Sequence, residues 1–157
     1  TKVDLSALTE ETVHTLQIAA EKKGQTLTAD IAPGITLEGD SGKLMQIFYN
    51  LTDNAIKYTP ENGHIAVRLA QSGANVLFAV TDDGIGIPEE DQKHIFERFY
   101  RVDKARSRAT GGTGLGLSIV RQLAAMHGGT VSVSSQPGQG ATFTVTLPMD
   151  AKRGEKA

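Results

Sequence analysis

Residues 44–58 set the first constraint on the fold. Within KLMQIFYNLTDNAIKYTP, Leu44, Ile47, Phe48, Leu51, Ala55 and Tyr58 recur at intervals of three and four, which gathers apolar side chains on one stripe of a helix. A helix that is apolar on one stripe must lay that stripe against a second layer. Other segments supply that layer by alternating. HIAVRLAQ and VLFAVTDD are joined by the turn SGAN, and TVSVSS and GATFTVTLP by QPGQG, so each pair reads as a strand hairpin.

The flanking segments fit the same two-layer plan. TKVDLSALTEETVHTLQIAAEKKG opens with a strand-like piece and continues as a helix from about Ser6, with Leu8, Val13, Leu16, Ile18 and Ala20 among its apolar positions and Gly24 at its C-terminal cap. QTLTADI alternates with Leu27, Ala29 and Ile31 on one face, Pro33-Gly34 turns the chain, and ITLEG is a second short strand. Asp40 or Ser41 N-caps the helix that follows, which runs to about Tyr58 and stops before Pro60. PEEDQKHIFERFY is predicted to form a short helix with Pro88 at its first position. Residues 101–113 are predicted to be a mobile loop, and Gly114 to about His127 a helix ended by Gly128-Gly129. The fold class expected is α/β of the α+β kind: a two-layer sandwich in which a mixed, mainly antiparallel sheet of about five strands is covered on one face by three helices.

Composition excludes several function classes. The chain has 157 residues, enough for one sizeable core, and 16 basic against 18 acidic residues give a net charge of −2. Nothing in that balance points to nucleic acid or an anionic membrane. The absence of cysteine rules out a disulfide scaffold and thiolate metal sites. There is no apolar run of about 18 residues and no signal-peptide pattern. Thr1 stands where a start Met would, so the chain is expected to be a piece excised from a longer protein, and the polar end 149–157 is expected to be disordered.

Three constellations carry candidate chemistry. Asn50, Asn54 and Lys57 form a second stripe at the border of the apolar one. Two amides and an ammonium there either make a solvated flank or offer an oxygen ligand and a cation to a phosphate-bound metal. In AVTDDGIGIP an apolar strand runs into Asp82, followed by Gly84 and Gly86. A carboxylate at a strand end can accept from an amino group, and the glycines let a flat ligand approach the backbone. A type I′ turn is the competing reading, weakened because a helix rather than a partner strand follows. The third is FERFYRVDKARSRATGGTGLGLSIV. Arg98, Arg101, Lys104, Arg106 and Arg108 crowd into one stretch, and Gly112, Gly114 and Gly116 come directly before an apolar helix. Arginines and close backbone N–H groups suit a polyphosphate, although a loose surface loop would show similar glycines. The glycine spacing fits neither the G-x-x-x-x-G-K-[ST] phosphate loop nor a G-x-G-x-x-G turn after a strand.

Taken in order, NLTDNAIKYTP, DDGIGIP, FERFYR and GGTGLGLSIV resemble the N, G1, F and G2 boxes of bacterial sensor histidine kinases, and FYRVDKARSR and AMHGG look most like the phosphate-response or cell-wall-stress sensors. The resemblance covers residues 1–148 as one ATP-binding catalytic domain of the fold shared with gyrase, Hsp90 and MutL ATPases, with an ATP lid at about 99–113. It implies ATP and Mg²⁺ as cofactors. Asp82 would accept from the adenine amino group, helped through water by Thr142, with Gly84, Gly86 and Ile87 around the base and Tyr58 along the nucleotide. Asn54 would ligate Mg²⁺, Asn50 would lie near the metal or the phosphates, and Lys57 would lie on the phosphates. Tyr100 and Arg101 would reach the nucleotide from the lid, and Gly112, Thr113, Gly114, Leu115, Gly116 and Leu117 would wrap the triphosphate. Asn54, Lys57 and Arg101 are the residues the resemblance assigns to catalysis.

Such kinases phosphorylate a histidine in a HELRTP-like box, and His14, His64, His94 and His127 all lack that context. The resemblance therefore implies a phosphoacceptor on a separate dimerisation hairpin, a response regulator reached through that hairpin, no nucleic-acid or direct membrane contact, a monomeric isolated domain, and a cytoplasmic position in a membrane-bound sensor. Three other readings compete with this one. A self-contained ATPase of the gyrase, Hsp90 and MutL type would need a glutamate base where this chain has Asn50, and an amide does not take a proton from water. A non-catalytic nucleotide sensor would be expected to have lost Asp82, Asn54 or a lid glycine. A serine-directed anti-sigma-factor kinase fits the long FERFYR lid poorly.

Overall fold

The computed structural model describes residues 2–84, 92, 95, 96, 116–135 and 140–149. Seven strands and three helices follow one another among them: β1 (Lys2–Asp4), α1 (Leu5–Lys22), β2 (Thr26–Ile31), β3 (Thr36–Glu38), α2 (Ser41–Tyr58), β4 (His64–Ser72), β5 (Asn75–Asp82), α3 (Gly116–Met126), β6 (Thr130–Ser135) and β7 (Ala141–Pro148). Of the predicted helix over 88–100 only Gln92, Ile95 and Phe96 are described, with Ile95 and Phe96 in the core, and the lid lies outside the described residues.

The main sheet has five strands in the order β2-β4-β5-β7-β6. Both predicted hairpins form, β4 with β5 and β6 with β7, and β5 pairs antiparallel with β7 across the centre. Only β2 joins in parallel, along β4 from Thr26↔His64 to Ile31↔Leu69. A parallel neighbour needs a long crossover, and here β3 and α2 lie in it. β1 and β3 form a separate antiparallel pair, so Pro33-Gly34 turns the chain between two sheets rather than within a hairpin.

Burial shows how the layers meet. Along β4, Ile65, Val67 and Leu69 are buried while His64, Ala66 and Arg68 are exposed. Along β5, Val76, Phe78, Val80 and Asp82 are buried. These inward positions meet α2, whose Leu44, Ile47, Phe48, Leu51 and Ala55 are all buried. Phe48 stacks on Phe78 with ring centroids 4.0 Å apart and planes 7° apart, which locks the helix to the central strand. Tyr58, placed on the same stripe by its spacing, is only half-buried.

Helix α1 departs from the sequence reading in a useful way. Ile18 is 60% exposed, and Leu8 and Val13 are half-buried. The buried face is Leu5, Thr9, Thr12, Leu16 and Ala20. Two threonines serve as core because their hydroxyls donate back to the carbonyls of Leu5 (2.8 Å) and Leu8 (2.9 Å), leaving their methyl groups to pack. Ala29 of β2 is likewise exposed, because β2 is an edge strand whose inner face rests mainly on Leu27.

His127 ties the ends of two helices together. Its Nδ1–H donates to the Leu123 carbonyl (2.9 Å), and its Nε2 accepts from the Asp40 N–H (3.1 Å). Asp40 is the N-cap of α2, its carboxylate accepting from the Lys43 N–H at 3.0 Å. That bond holds the Asp40 carboxyl below the usual carboxylate range. The C-terminal end of α3 is thereby fixed at the N-terminal end of α2.

Because Phe48 is fully buried against Phe78, Phe48→Ala is expected to cost roughly 3–5 kcal/mol of stability, read as a lower urea midpoint with an unchanged slope.

Candidate functional site

The site grows from the strict alternation of β5. Val76, Phe78 and Val80 face the helices, so the last residue in phase with them, Asp82, must also point inward. An acid is thus placed at the rim of the core, at the end of the central strand, with 9% of its surface exposed. Burial pushes its carboxyl above the ordinary aspartate value, the N–H groups of Gly84 and Ala141 oppose that shift, and the Asp83 charge adds to it. The Gly84 N–H donates to Asp82 Oδ1 at 2.9 Å, which turns the chain back over the carboxylate.

Gly84 has to be glycine for reasons of space. A Cβ there would lie 2.9 Å from the Tyr58 carbonyl oxygen and 3.1 Å from Asp82 Oδ1. The turn after β5 is therefore seated directly on the end of α2. On the other side Gly140, at φ +84°, brings its backbone against that of Asp82. The neighbouring Asp83 accepts from the His64 N–H at 2.7 Å and pairs with the His64 ring at 3.2 Å.

The amide stripe of α2 borders this corner. Asn50, Asn54, Lys57 and Tyr58 are all half-buried, on the flank between the buried stripe and solvent. Asp53, which the sequence reading did not include, holds Lys57 Nζ at 3.2 Å. Both partners are partly exposed, so the pair contributes only about 0.3–0.5 kcal/mol and can yield its ammonium to an anion. An i, i+4 acid–base pairing was the signal that could have found Asp53.

The site residues separate into three groups. Asp82 and Gly84 meet the Tyr58 end of α2, with Asn50, Asn54 and Lys57 on its flank. Gly116 opens α3, and Leu117 packs against the core. Gly86, Ile87, Tyr100, Arg101, Gly112, Thr113, Gly114 and Leu115 lie outside the described residues. Thr142 is not brought to Asp82. The register pairs Thr142 with Thr81 and Ala141 with Asp82, and the Thr81 and Thr142 hydroxyls bond at 3.1 Å on the face away from the helices. The residue beside Asp82 is Ala141, one position earlier, because a one-residue step along a strand changes faces.

An adenine amino group fits this corner in its chemistry, since Asp82 is a buried acceptor at a strand end. For a metal, the described residues contain no cluster of three acidic, histidine or cysteine side chains. That is compatible with Mg²⁺, which takes few protein ligands and fills its shell with water and phosphate oxygens. No helix among the described residues is long and apolar enough to cross a membrane.

Known proteins share this fold. Residues 39–151 match the family described as histidine kinase-, DNA gyrase B-, and HSP90-like ATPase. The sensor-like histidine kinase SenX3 of Mycolicibacterium smegmatis is 47% identical over 146 residues, covering 93% of this chain and 38% of SenX3. The chain thus spans well under half the length of that relative. Full-length ShkA in complex with AMPPNP aligns at TM-score 0.81 and 35% identity over 94% of this chain and 30% of ShkA. ThkA in complex with the response regulator protein TrrA aligns at TM-score 0.81 and 26% identity, over 98% of this chain and 42% of ThkA.

The raised Asp82 carboxyl has a consequence for stability. A carboxyl that is easier to protonate when folded contributes stability below its unfolded value of about 3.9 and loses that contribution as pH rises through the folded value. Asp82→Asn is therefore expected to melt at or above the wild-type temperature at pH 7. The difference should shrink toward pH 4, followed by thermal melting without nucleotide.

Proposed function

We infer function from one premise, that the chain belongs to the histidine kinase-, DNA gyrase B-, and HSP90-like ATPase family as the ATPase domain of a sensor histidine kinase, and we propose that it binds Mg-ATP and presents the γ-phosphate to a histidine on a separate helical hairpin. The observation that carries this reading is Asp82. It is a buried acceptor at the end of the central strand, turned by Gly84 onto the end of the helix that bears Asn50, Asn54 and Lys57.

The proposed roles follow from position. Asp82 accepts from the adenine amino group, and Gly84 holds the turn after it against the end of α2. Asn54 offers its amide oxygen to Mg²⁺, with Asn50 one turn earlier. Lys57 moves from Asp53 to the phosphates. From the lid sequence we assign Tyr100, Arg101, Gly112, Thr113, Gly114 and Leu115 to the nucleotide, joined by Gly116 and Leu117 at the start of α3, and Gly86 and Ile87 to the rim of the base. Mg²⁺, when bound, neutralises charge on the triphosphate.

Transfer forms a bond from phosphorus to an imidazole nitrogen of the acceptor while the bond from phosphorus to the β,γ-bridging oxygen breaks, and ADP leaves. Such a reaction needs mainly positioning and charge neutralisation. Among the described residues no histidine offers an acceptor at the site: His127 holds two helix ends together, and His64 pairs with Asp83. His14 is exposed on α1, and His94 lies outside the described residues. Asn50 also lacks the basicity to activate water. The AMPPNP bound to ShkA supports the nucleotide, and the complex of ThkA with TrrA supports a response regulator as the downstream partner. We propose that the parent protein is a membrane-bound sensor with this domain on the cytoplasmic side.

The direct test is calorimetric. Asp82→Asn places an amide donor against the adenine amino donor and is expected to weaken ATP binding by roughly 1–3 kcal/mol, while unchanged affinity would remove Asp82 from the adenine site. The wild-type chain alone is expected to hydrolyse ATP very slowly and to carry no phosphohistidine, whereas the parent's hairpin, added in trans, becomes labelled. Labelling of His14, His64, His94 or His127 would refute this reading.

Asn54→Ala separates binding from transfer. It is expected to abolish the gain in ATP affinity that Mg²⁺ gives and to suppress transfer to the hairpin, in parallel titrations with and without the metal.

A further inference from the structure

Three turns are stacked at one end of the molecule. The one at the sheet's edge is Lys23-Gly24-Gln25, which leaves α1 and leads into β2. The next is residues 59–63, which leaves α2 and leads into β4. The third, at the central strand, is Asp82-Asp83-Gly84, which leaves β5. Main-chain bonds run between the first two: the Asn62 N–H donates to the Gly24 carbonyl and the Thr26 N–H to the Gly63 carbonyl, each at 3.0 Å. The second and third are joined by the Asp83 N–H on the His64 carbonyl (3.2 Å) and by the seating of Gly84 on Tyr58 and Thr59.

Side chains from the first turn grip the second. Lys23 Nζ donates to the carbonyls of Ile56 (2.8 Å) and Lys57 (2.9 Å). Gln25 Nε2 donates to the carbonyls of Ile56 (2.9 Å) and Thr59 (2.6 Å). These are carbonyls that a helix C-terminus leaves without intrahelical partners, and the ammonium also meets the negative end of the helix dipole. The grip is not optimised for stability alone. Gln25 is buried, yet its Oε1 has no partner among the described residues, and neither has the Thr59 hydroxyl. A buried amide satisfied on one side only is a poor stabiliser. What Gln25 does achieve is to fix the position of the Thr59 carbonyl, and with it the seat of Gly84.

We propose that Lys23 and Gln25 are positioning residues for nucleotide binding: by holding the last turn of α2 and its exit, they set the surface on which the Asp82–Gly84 turn rests, and so set the adenine half of the site. This rests on the assignment of Asp82 to the adenine. Neither residue touches nucleotide. Because they act on the base rather than the phosphates, ATP and ADP are affected alike.

The test uses Gln25→Leu, Lys23→Met and Lys23→Arg. Thermal melting first fixes a temperature at which every variant is fully folded, and ATP and ADP affinities are then measured there by calorimetry. Gln25→Leu and Lys23→Met are expected to weaken both nucleotides by roughly five- to tenfold, with Lys23→Arg within about twofold of wild type. A residue that only stabilises the fold would lower the melting temperature and leave these affinities unchanged. Affinities within about twofold of wild type in both Gln25→Leu and Lys23→Met therefore overturn the inference. A loss confined to ATP overturns it too, by placing the effect at the phosphates. Should the wild-type chain bind neither nucleotide, the assignment beneath it fails first.

Discussion

The placement of one acid governs the rest. A strand that alternates cannot choose which way its last residue points, and β5 is in phase with its core positions up to Asp82. The result is a carboxylate that resists ionisation and sits where strand, turn and helix end converge. Such a group is a poor way to stabilise a domain and a good way to recognise a donor that arrives from outside. The unfavourable burial and the proposed recognition are two consequences of the same alternation.

Helix α2 supplies the second requirement, a rigid mount. Its buried stripe is fastened to β5 through Phe48 and Phe78. One end is capped by Asp40 and tied to α3 through His127, and the other is gripped by Lys23 and Gln25. The flank that bears Asn50, Asn54 and Lys57 inherits this rigidity without belonging to the core. Polar side chains meant to meet a ligand are more accurately placed on a braced helix than on a loop.

Much of this was legible in the sequence, and the rest failed for identifiable physical reasons. The α2 stripe up to Ala55, a cap at Asp40 or Ser41 that falls on Asp40, both hairpins and the helix ending before Gly128-Gly129 follow from local periodicity and turn chemistry. Thr9 and Thr12 were not recognised as core, because a threonine that donates back to its own helix loses its polar character only in context. Ile18, one of the apolar positions of α1, faces solvent because the buried face of a helix is decided by what packs on it. The parallel pairing of β2 with β4 joins residues far apart in the chain, which no local pattern reveals. At the site, Asp82 and Gly84 stand out as a strand end followed by glycine. The resemblance assigned Thr142 to the adenine, whereas the sheet pairs Thr142 with Thr81 and sets Ala141 opposite Asp82, a register that no local pattern reveals. Lys23 and Gln25 carry no motif at all, since their partners are carbonyls of a distant helix end.

The pairing of Asp82 with Ala141 has a further consequence. The chain leaves the sheet at the end of β5 and, after α3 and the edge strand β6, returns beside β5 along β7 with Ala141 opposite Asp82, so both ends of the interval between them are held together. Where a flexible loop is closed across paired strands, each doubling of its length adds only about 0.6 kcal/mol of entropic cost. Residues inserted between β5 and α3 would therefore leave the pairing of β5 with β7 unchanged and the buried acid in place.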